Sequence, residues 1–356
     1  MRIALDAKRY FFNRTGLGNY ARQWVRILHE AIPAAEIHLM TPRHPGPENA
    51  DARFHIQSPT RGFLYREWRM AAHLERIKAD VYHGLSNELP FSTGRLSMRK
   101  IVTVHDVIFR IYPGFYPATD RLIYHTKTRF ACRHADTVVA TSHTTARDLV
   151  AHYNIDPARI VVVYQGADPA FHNLNPDHVH PYDGQPYFLF TGTFAGRKNH
   201  ALLIEALGRI HKQIPHLLVL AGTKGEQLDT CRRLAESLGV AQRIRWEVNV
   251  PRERLLNLYQ YAGGFLFPPL YEGFGIPLIE AMAAGVPIAA HDIPVFREIA
   301  GDAAVYFHNE RDEAASAMLA LADSASTFSL LQAARERLPL FSDEAQAAMM
   351  QALYQA

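Results

Sequence analysis

PYFLFTGTFAGRKNHALLIEALGRIHKQIPHLLVLAG, residues 186–222, decides the architecture. An apolar run, PYFLFTG at 186–192, ends in a glycine loop. Arg197-Lys198-Asn199 then opens an amphipathic helix that leads into a second apolar run, HLLVLAG at 216–222. Strand, helix and strand at this spacing predict two parallel strands joined by a right-handed crossover. The pattern continues downstream through RIRWEV at 243–248, GGFLFP at 263–268 and GVPIAA at 285–290. Upstream, IALDA at 3–7, EIHLM at 36–40, KIVTVHD at 100–106, DTVVATS at 136–142 and RIVVVYQG at 159–166 alternate with helix-spaced segments such as YARQWVRILHEA. A polar, proline-rich stretch, NLNPDHVHPYDGQP at 173–186, separates the two series. The chain therefore reads as α/β, with two Rossmann-like doubly wound domains, an N-terminal one over 1–175 and a C-terminal one over 186–338.

Composition sets limits on this reading. With 356 residues, 48% hydrophobic and 21% charged, the sequence is that of a globular protein with room for two cores. MRIALDAKRY passes straight into a strand, with no apolar signal core and no 18-residue apolar span, which predicts a cytoplasmic location. Cys132 and Cys231 lie in neither a CxxC nor a zinc spacing, so a disulfide framework or metal cluster is not expected. The net charge of +3 is divided unevenly: residues 1–178 hold 23 Lys/Arg against 16 Asp/Glu, and 179–356 hold 15 against 19. A basic front half fits an anionic lipid surface or a lipid-linked diphosphate, although ordinary drift in surface charge gives the same numbers. RGFLYREWRMAAHLERIK at 61–78 interleaves apolar and basic residues, as a helix touching the inner membrane does, and as a core helix with a basic outer side also does. No nucleic-acid partner is expected.

Chemistry concentrates where strands end, because ligands of open parallel sheets bind beyond the carboxyl ends of the strands. In PPLYEGFGIPLIEAMAAGVPIAA at 268–290, Glu272 and Glu280 stand eight positions apart. Gly273 and Gly275 let the backbone approach a ligand, and Pro277 suits the first turn of a helix running to about Ala284. The start of that helix can hold a phosphate, and the two carboxylates can accept hydrogen bonds from sugar or ribose hydroxyls. The apolar neighbours LFPPLY and GIPLIEAM would bury much of this region, so the acids need a role there. Arg197 and Lys198, side by side at a strand-to-helix turn, can neutralise a diphosphate and stabilise it as a leaving group.

In the front half, Gly16-Leu17-Gly18 precedes a helix expected from Asn19. The match to a dinucleotide fingerprint is broken by AKRYFFNRT, which intervenes after the strand, so the glycines read as a flexible loop over donor phosphates or acceptor. His105 follows the strand IVTV, where it can bond a donor hydroxyl, lie close to the reacting carbon or simply be a core histidine, with Asp106 orienting it or capping the next segment. No Asp-x-Asp occurs, so the usual carboxylate clamp for a metal and a sugar nucleotide is missing.

Taken together, these residues resemble the retaining glycosyltransferases of family 4. The resemblance spans nearly the whole chain: the glycines at 16–18, VHD at 104–106, ATSHTTARDL at 140–149, VVYQGAD at 162–168 and, most specifically, YEGFGIPLIE at 271–280. It implies the GT-B fold, two domains facing a central cleft, with the final segment at 339–356 a helix that crosses back to the N-terminal domain. It assigns Glu272 to the donor sugar hydroxyls, Glu280 to the ribose and Arg197 with Lys198 to the diphosphate. Backbone N–H groups of Phe274, Gly275 and Ile276 add to phosphate binding, His105 sits by the transferred sugar, and the stretch from Glu247 to Pro251, Val250 included, holds the base. Many members carry an arginine directly after the glycine that ends the first strand of the second domain. Here Gly192 is followed by Thr193, and Arg197 is left to supply that charge.

The resulting expectation is a metal-independent hexosyltransferase with no cofactor. It takes a nucleotide-diphosphate sugar, GDP-mannose by resemblance, and passes the sugar to a glycan or lipid-linked glycan in bacterial surface-polysaccharide assembly. A sugar-nucleotide epimerase or phosphorylase, or a non-catalytic nucleotide-sugar-binding subunit, are the alternatives on the same architecture.

Overall fold

The computed structural model describes residues 1–13, 16–46, 51–58, 67 and 69–355. It divides into two units, one of Met1–Gln165 with Asp343–Ala356, the other of Gly166–Ser342. The polar stretch at 173–186, read from sequence as the join, lies inside the second unit. The boundary falls earlier, because Phe171 of the 3-10 turn Pro169–Phe171 is buried against Tyr259 of that unit.

In the first unit, β1 (Arg2–Asp6), β2 (Glu36–Met40), β3 (His55–Gln57), β4 (Val81–Gly84), β5 (Arg99–Val104), β6 (Thr137–Ala140) and β7 (Ile160–Val162) form a parallel sheet in the order β3-β2-β1-β4-β5-β6-β7. Ile3, Leu5 and Val81 of the sheet meet Trp24 and Leu28 of the helix Gly16–Ala31 in one core. The last helix, Asp343–Gln355, adds Met350, Leu353 and Tyr354 to that core, and the Trp24 indole N–H donates to the Tyr354 hydroxyl at 3.0 Å.

In the second unit, β8 (Tyr187–Thr191), β9 (Leu217–Gly222), β10 (Ile244–Val248), β11 (Gly264–Phe267), β12 (Ile288–His291) and β13 (Ala304–Phe307) are again parallel, in the order β10-β9-β8-β11-β12-β13. Strands covered by helices on both faces need no polar alternation, and all five residues of β8 are buried.

Strand order fixes where ligands go. In each sheet the chain winds outward in one direction from its first strand and then in the other, which leaves a crevice at the switch point beyond the strands' carboxyl ends. That point lies between β1 and β4 in the first unit and between β8 and β11 in the second. The loop carrying Arg197 and Lys198 follows β8, and the loop carrying Glu272 follows β11. The switch point thus brings together two motifs that lie 74 positions apart.

Candidate functional site

The Lys198 ammonium donates to Glu272 Oε1 at 2.5 Å, and Nη1 of Arg197 donates to the same oxygen at 2.9 Å. The backbone reinforces this junction, since the Leu270 N–H donates to the Arg197 carbonyl at 3.0 Å. His291, at the end of β12, meets the Pro269 carbonyl through Nδ1 at 2.9 Å and steadies the Glu272 loop from behind. Lys198 is nearly enclosed, 9% exposed, with its ammonium 5.6 Å above the Phe267 ring. Burial opposes ionisation of Glu272, but Lys198 and Arg197 outweigh it and hold its pKa below the ordinary carboxylate value.

The two cations were expected to open a helix. Instead they occupy a 3-10 turn, Gly196–Lys198, and Asn199 takes a left-handed conformation before the helix His200–Ile210 begins. From this turn both side chains reach Glu272 Oε1.

Beyond Glu272 the chain passes through Gly273 and Phe274 to Gly275, whose φ of +116° is accessible to glycine and strained for any other residue. Gly275 caps the helix Ile276–Ala283 without a side-chain acceptor, and Pro277 occupies its first turn. A helix start of this kind presents a positive dipole end. Glu280 lies one turn in. Its Oε2 accepts from the Tyr259 hydroxyl at 2.9 Å, and that hydroxyl lies 2.9 Å from Thr191 Oγ1. Glu280 keeps some solvent contact yet is sunk among protein atoms. That burial, with Asp168 adding repulsion, raises its pKa to about 7 against the opposing pull of the Tyr259 bond.

Val250 follows β10, the edge strand two positions from β8, and is half-buried. Glu247, in the same stretch, is committed elsewhere, since its carboxylate accepts from the Tyr182 hydroxyl at 2.7 Å and from Arg254.

In the first unit a cavity of about 340 Å³ lies at the β1/β4 switch point, and Leu17, Asn87, Glu88, His105, Asp106 and Lys127 are among its walls. A carbonyl oxygen can only accept, so Nε2 of His105 carries the proton and donates to the Leu85 carbonyl at 2.9 Å. Nδ1 then carries the lone pair and can accept a hydroxyl. Burial lowers the His105 pKa to about 4, which keeps the ring neutral. Tyr20 meets that ring edge-on at 4.5 Å. A buried hydrogen-bond chain of Tyr20, Thr103, His83 and Tyr354, with contacts of 2.6–2.9 Å, ties this wall to the final helix. Asp106 caps the next segment by accepting from the Ile108 N–H at 3.1 Å.

The glycines at 16–18 require a correction. They form the first turn of the helix Gly16–Ala31 and not a flexible loop ahead of it. The Asn13 side chain accepts from the Gly18 N–H at 3.2 Å, and a Cβ on Gly18 would lie 1.8 Å from the Asn13 carbonyl oxygen, so Gly18 serves close backbone packing. Sequence reasoning also missed Tyr259, Thr191, His291 and Lys127. Each is a common residue on an ordinary element, with no motif to mark it.

Two family models match the chain. Residues 174–336 match glycosyl transferases group 1, and residues 14–171 match Glycosyltransferase Family 4. The chain is similar to O-antigen chain mannosyltransferase B of Escherichia coli, 28% identical over 85% of both chains. It is also 28% identical to O-antigen chain mannosyltransferase RfbU of Salmonella typhimurium, over 61% of this chain and 59% of that one. Its fold matches that of HepE from Anabaena, solved in complex with UDP-glucose, with a TM-score of 0.77 at 15% identity over the whole of both chains.

Proposed function

The chain belongs to the group 1 and family 4 glycosyltransferases, and from that premise we propose that it moves a mannosyl group from GDP-mannose, with retention at the anomeric carbon, to a glycan or lipid-linked glycan of bacterial O-antigen assembly. The observation that carries this reading is the pairing of Lys198 and Arg197 with Glu272 beyond β8 and β11. Two cations and a helix start suit the diphosphate, Glu272 suits the sugar hydroxyls and Glu280 suits the ribose. Mannose is favoured by the names of the two O-antigen relatives.

In this mechanism the bond from the anomeric carbon to the diphosphate breaks and the acceptor hydroxyl attacks the same face. The acceptor proton passes to the departing phosphate oxygen. Arg197, Lys198 and the helix start stabilise the charge that develops on the leaving group, so the step needs no metal ion. In the first unit, neutral His105 accepts a sugar hydroxyl at Nδ1, and the cavity beside it takes the acceptor. Val250 and its neighbours are assigned to the base by the resemblance alone.

Incubation with GDP-mannose and an O-antigen acceptor is expected to yield an α-mannoside, identified by the anomeric coupling of the product. Thermal shifts with GDP, UDP, TDP and ADP are expected to be largest for GDP. Product formed without acceptor would identify an epimerase, and binding without turnover would identify a silent subunit.

The reading includes peripheral contact with the cytoplasmic face of the inner membrane. Part of the basic, apolar stretch at 61–78 that suggested this, residues 61–66 and 68, lies outside the described residues, and in the helix Met70–Arg76 the apolar Met70 and Leu74 are buried in the core. Support comes from the neighbourhood of the helix Ala118–His134, where Tyr112, Phe115, Leu122, Ile123 and Tyr124 expose apolar surface beside Arg110, Arg121 and Arg129. No single helix among the described residues is long and apolar enough to cross a membrane. Flotation with phosphatidylglycerol vesicles is expected to carry the protein upward and to leave a Leu122→Ser, Ile123→Ser variant behind. Equal flotation of the two would remove this surface from the reading.

A further inference from the structure

Tyr259 is completely buried, on the helix Arg252–Gln260. Its ring stacks on Phe265 at 5.4 Å and meets Phe171 edge-on at 5.0 Å, so the hydroxyl has little freedom to move. That hydroxyl lies between Glu280 Oε2 and Thr191 Oγ1, 2.9 Å from each. A phenol has one proton and an ionised carboxylate can only accept, so the proton goes to Glu280 and the Thr191 hydroxyl donates to the phenol oxygen in return. Thr191 is the last residue of β8, directly ahead of the loop that carries Arg197 and Lys198. A rigid polar bridge therefore runs from the strand that launches the cation loop to the second carboxylate.

We propose that Tyr259, backed by Thr191, is a positioning residue for the donor nucleotide, fixing Glu280 Oε2 so that Oε1 is presented to the ribose hydroxyls. This rests on the assignment of Glu280 to the ribose. The titratable and charged groups bearing on Glu280 are Tyr259 and, ahead of the turn Pro169–Phe171, Asp168, itself paired with Arg252.

The bridge has a signature that a merely structural tyrosine lacks. The bond from Tyr259 stabilises ionised Glu280 against a burial that raises its pKa to about 7. Ribose hydroxyls donate best to the carboxylate form, so nucleotide affinity is full above that midpoint and is lost as the pH falls through it. Removing the phenol hydroxyl raises the midpoint further, and the loss then begins at higher pH.

The test is GDP affinity by calorimetry, from about pH 5.5 to about pH 9, for the full chain and for Tyr259→Phe, Thr191→Val and Glu280→Gln. Tyr259→Phe is expected to weaken binding roughly tenfold at neutral pH, the weight of one hydrogen bond to a charged group, and to move the midpoint upward. Thr191→Val should move it the same way by less, and Glu280→Gln should bind weakly with a flat profile. If Glu280→Gln loses affinity while Tyr259→Phe matches the parent in both affinity and midpoint, the positioning role is overturned. If Glu280→Gln itself matches the parent in both, the ribose assignment fails and this proposal fails with it.

Discussion

Replacing Lys198 with Ala is expected to lower kcat by about 10²–10³-fold, the cost of one preorganised oxyanion donor, while the protein still folds and still binds nucleotide. Lys198 is nearly enclosed, and its ammonium is already held between Glu272 Oε1 and the Phe267 ring. A cation fixed in a low-dielectric place needs no reorganisation when charge develops on the leaving phosphate, so its contribution falls on the transition state and not on ground-state binding. Arg197 is more open, with 29% of its side chain exposed, and water screens part of its charge. Arg197→Ala should therefore cost less in kcat and more in donor KM. Steady-state rates with GDP-mannose check both variants, and unchanged turnover of Lys198→Ala would remove it from the mechanism.

Much of this arrangement was legible in the sequence, for a physical reason. Parallel strands covered on both faces read as near-continuous apolar runs, and LLVLAG within HLLVLAG at 216–222 and FLF within PYFLFTG mark β9 and β8 closely. Three strands were not seen. β3 is three residues of mixed polarity, β4 is VYHG with a buried histidine, and β13 is AVYF at the sheet's edge. These strands are held by their neighbours in the sheet, and no local pattern records such pairing. Without β4 the switch point of the first unit could not be placed, although Ser86, Asn87 and Glu88 directly beyond it line the cavity.

The same contrast holds at the site. Glu272 and Glu280 were visible because a carboxylate among apolar neighbours needs a reason to be there. Arg197 and Lys198 were visible as adjacent cations at a strand's end. Tyr259 was not, because tyrosine in an amphipathic helix is an ordinary core residue. What marks it out is the 2.9 Å approach of its hydroxyl to Glu280, a contact between residues 21 positions apart that only the folded chain makes. The glycines at 16–18 misled for the converse reason. Glycine signals either freedom or close approach, and the 1.8 Å separation that decides between them for Gly18 exists only after folding.

Glu272→Gln separates the two halves of the proposed donor site. One carboxylate oxygen engages two cations, so Glu272 both orients them and offsets their charge. The amide keeps the size and an acceptor but loses the charge. Free GDP should then bind as well as before or up to about tenfold more tightly, because a diphosphate no longer competes with a neighbouring anion. The sugar loses its charge-assisted acceptor, so kcat/KM with GDP-mannose should fall by about 10–100-fold. Stability should fall by about 1–2 kcal/mol, less than for a fully buried pair because Arg197 and Glu272 keep some contact with water. The folded pKa of Glu272 is depressed, so its stabilisation is complete above the ordinary carboxylate pKa and disappears as the pH falls through the lowered value. The difference in Tm between parent and variant should accordingly close under acid conditions. Opposite movements of GDP affinity and sugar transfer would place Glu272 on the sugar, whereas a parallel loss of both would mean that it acts by holding Arg197 and Lys198 in place.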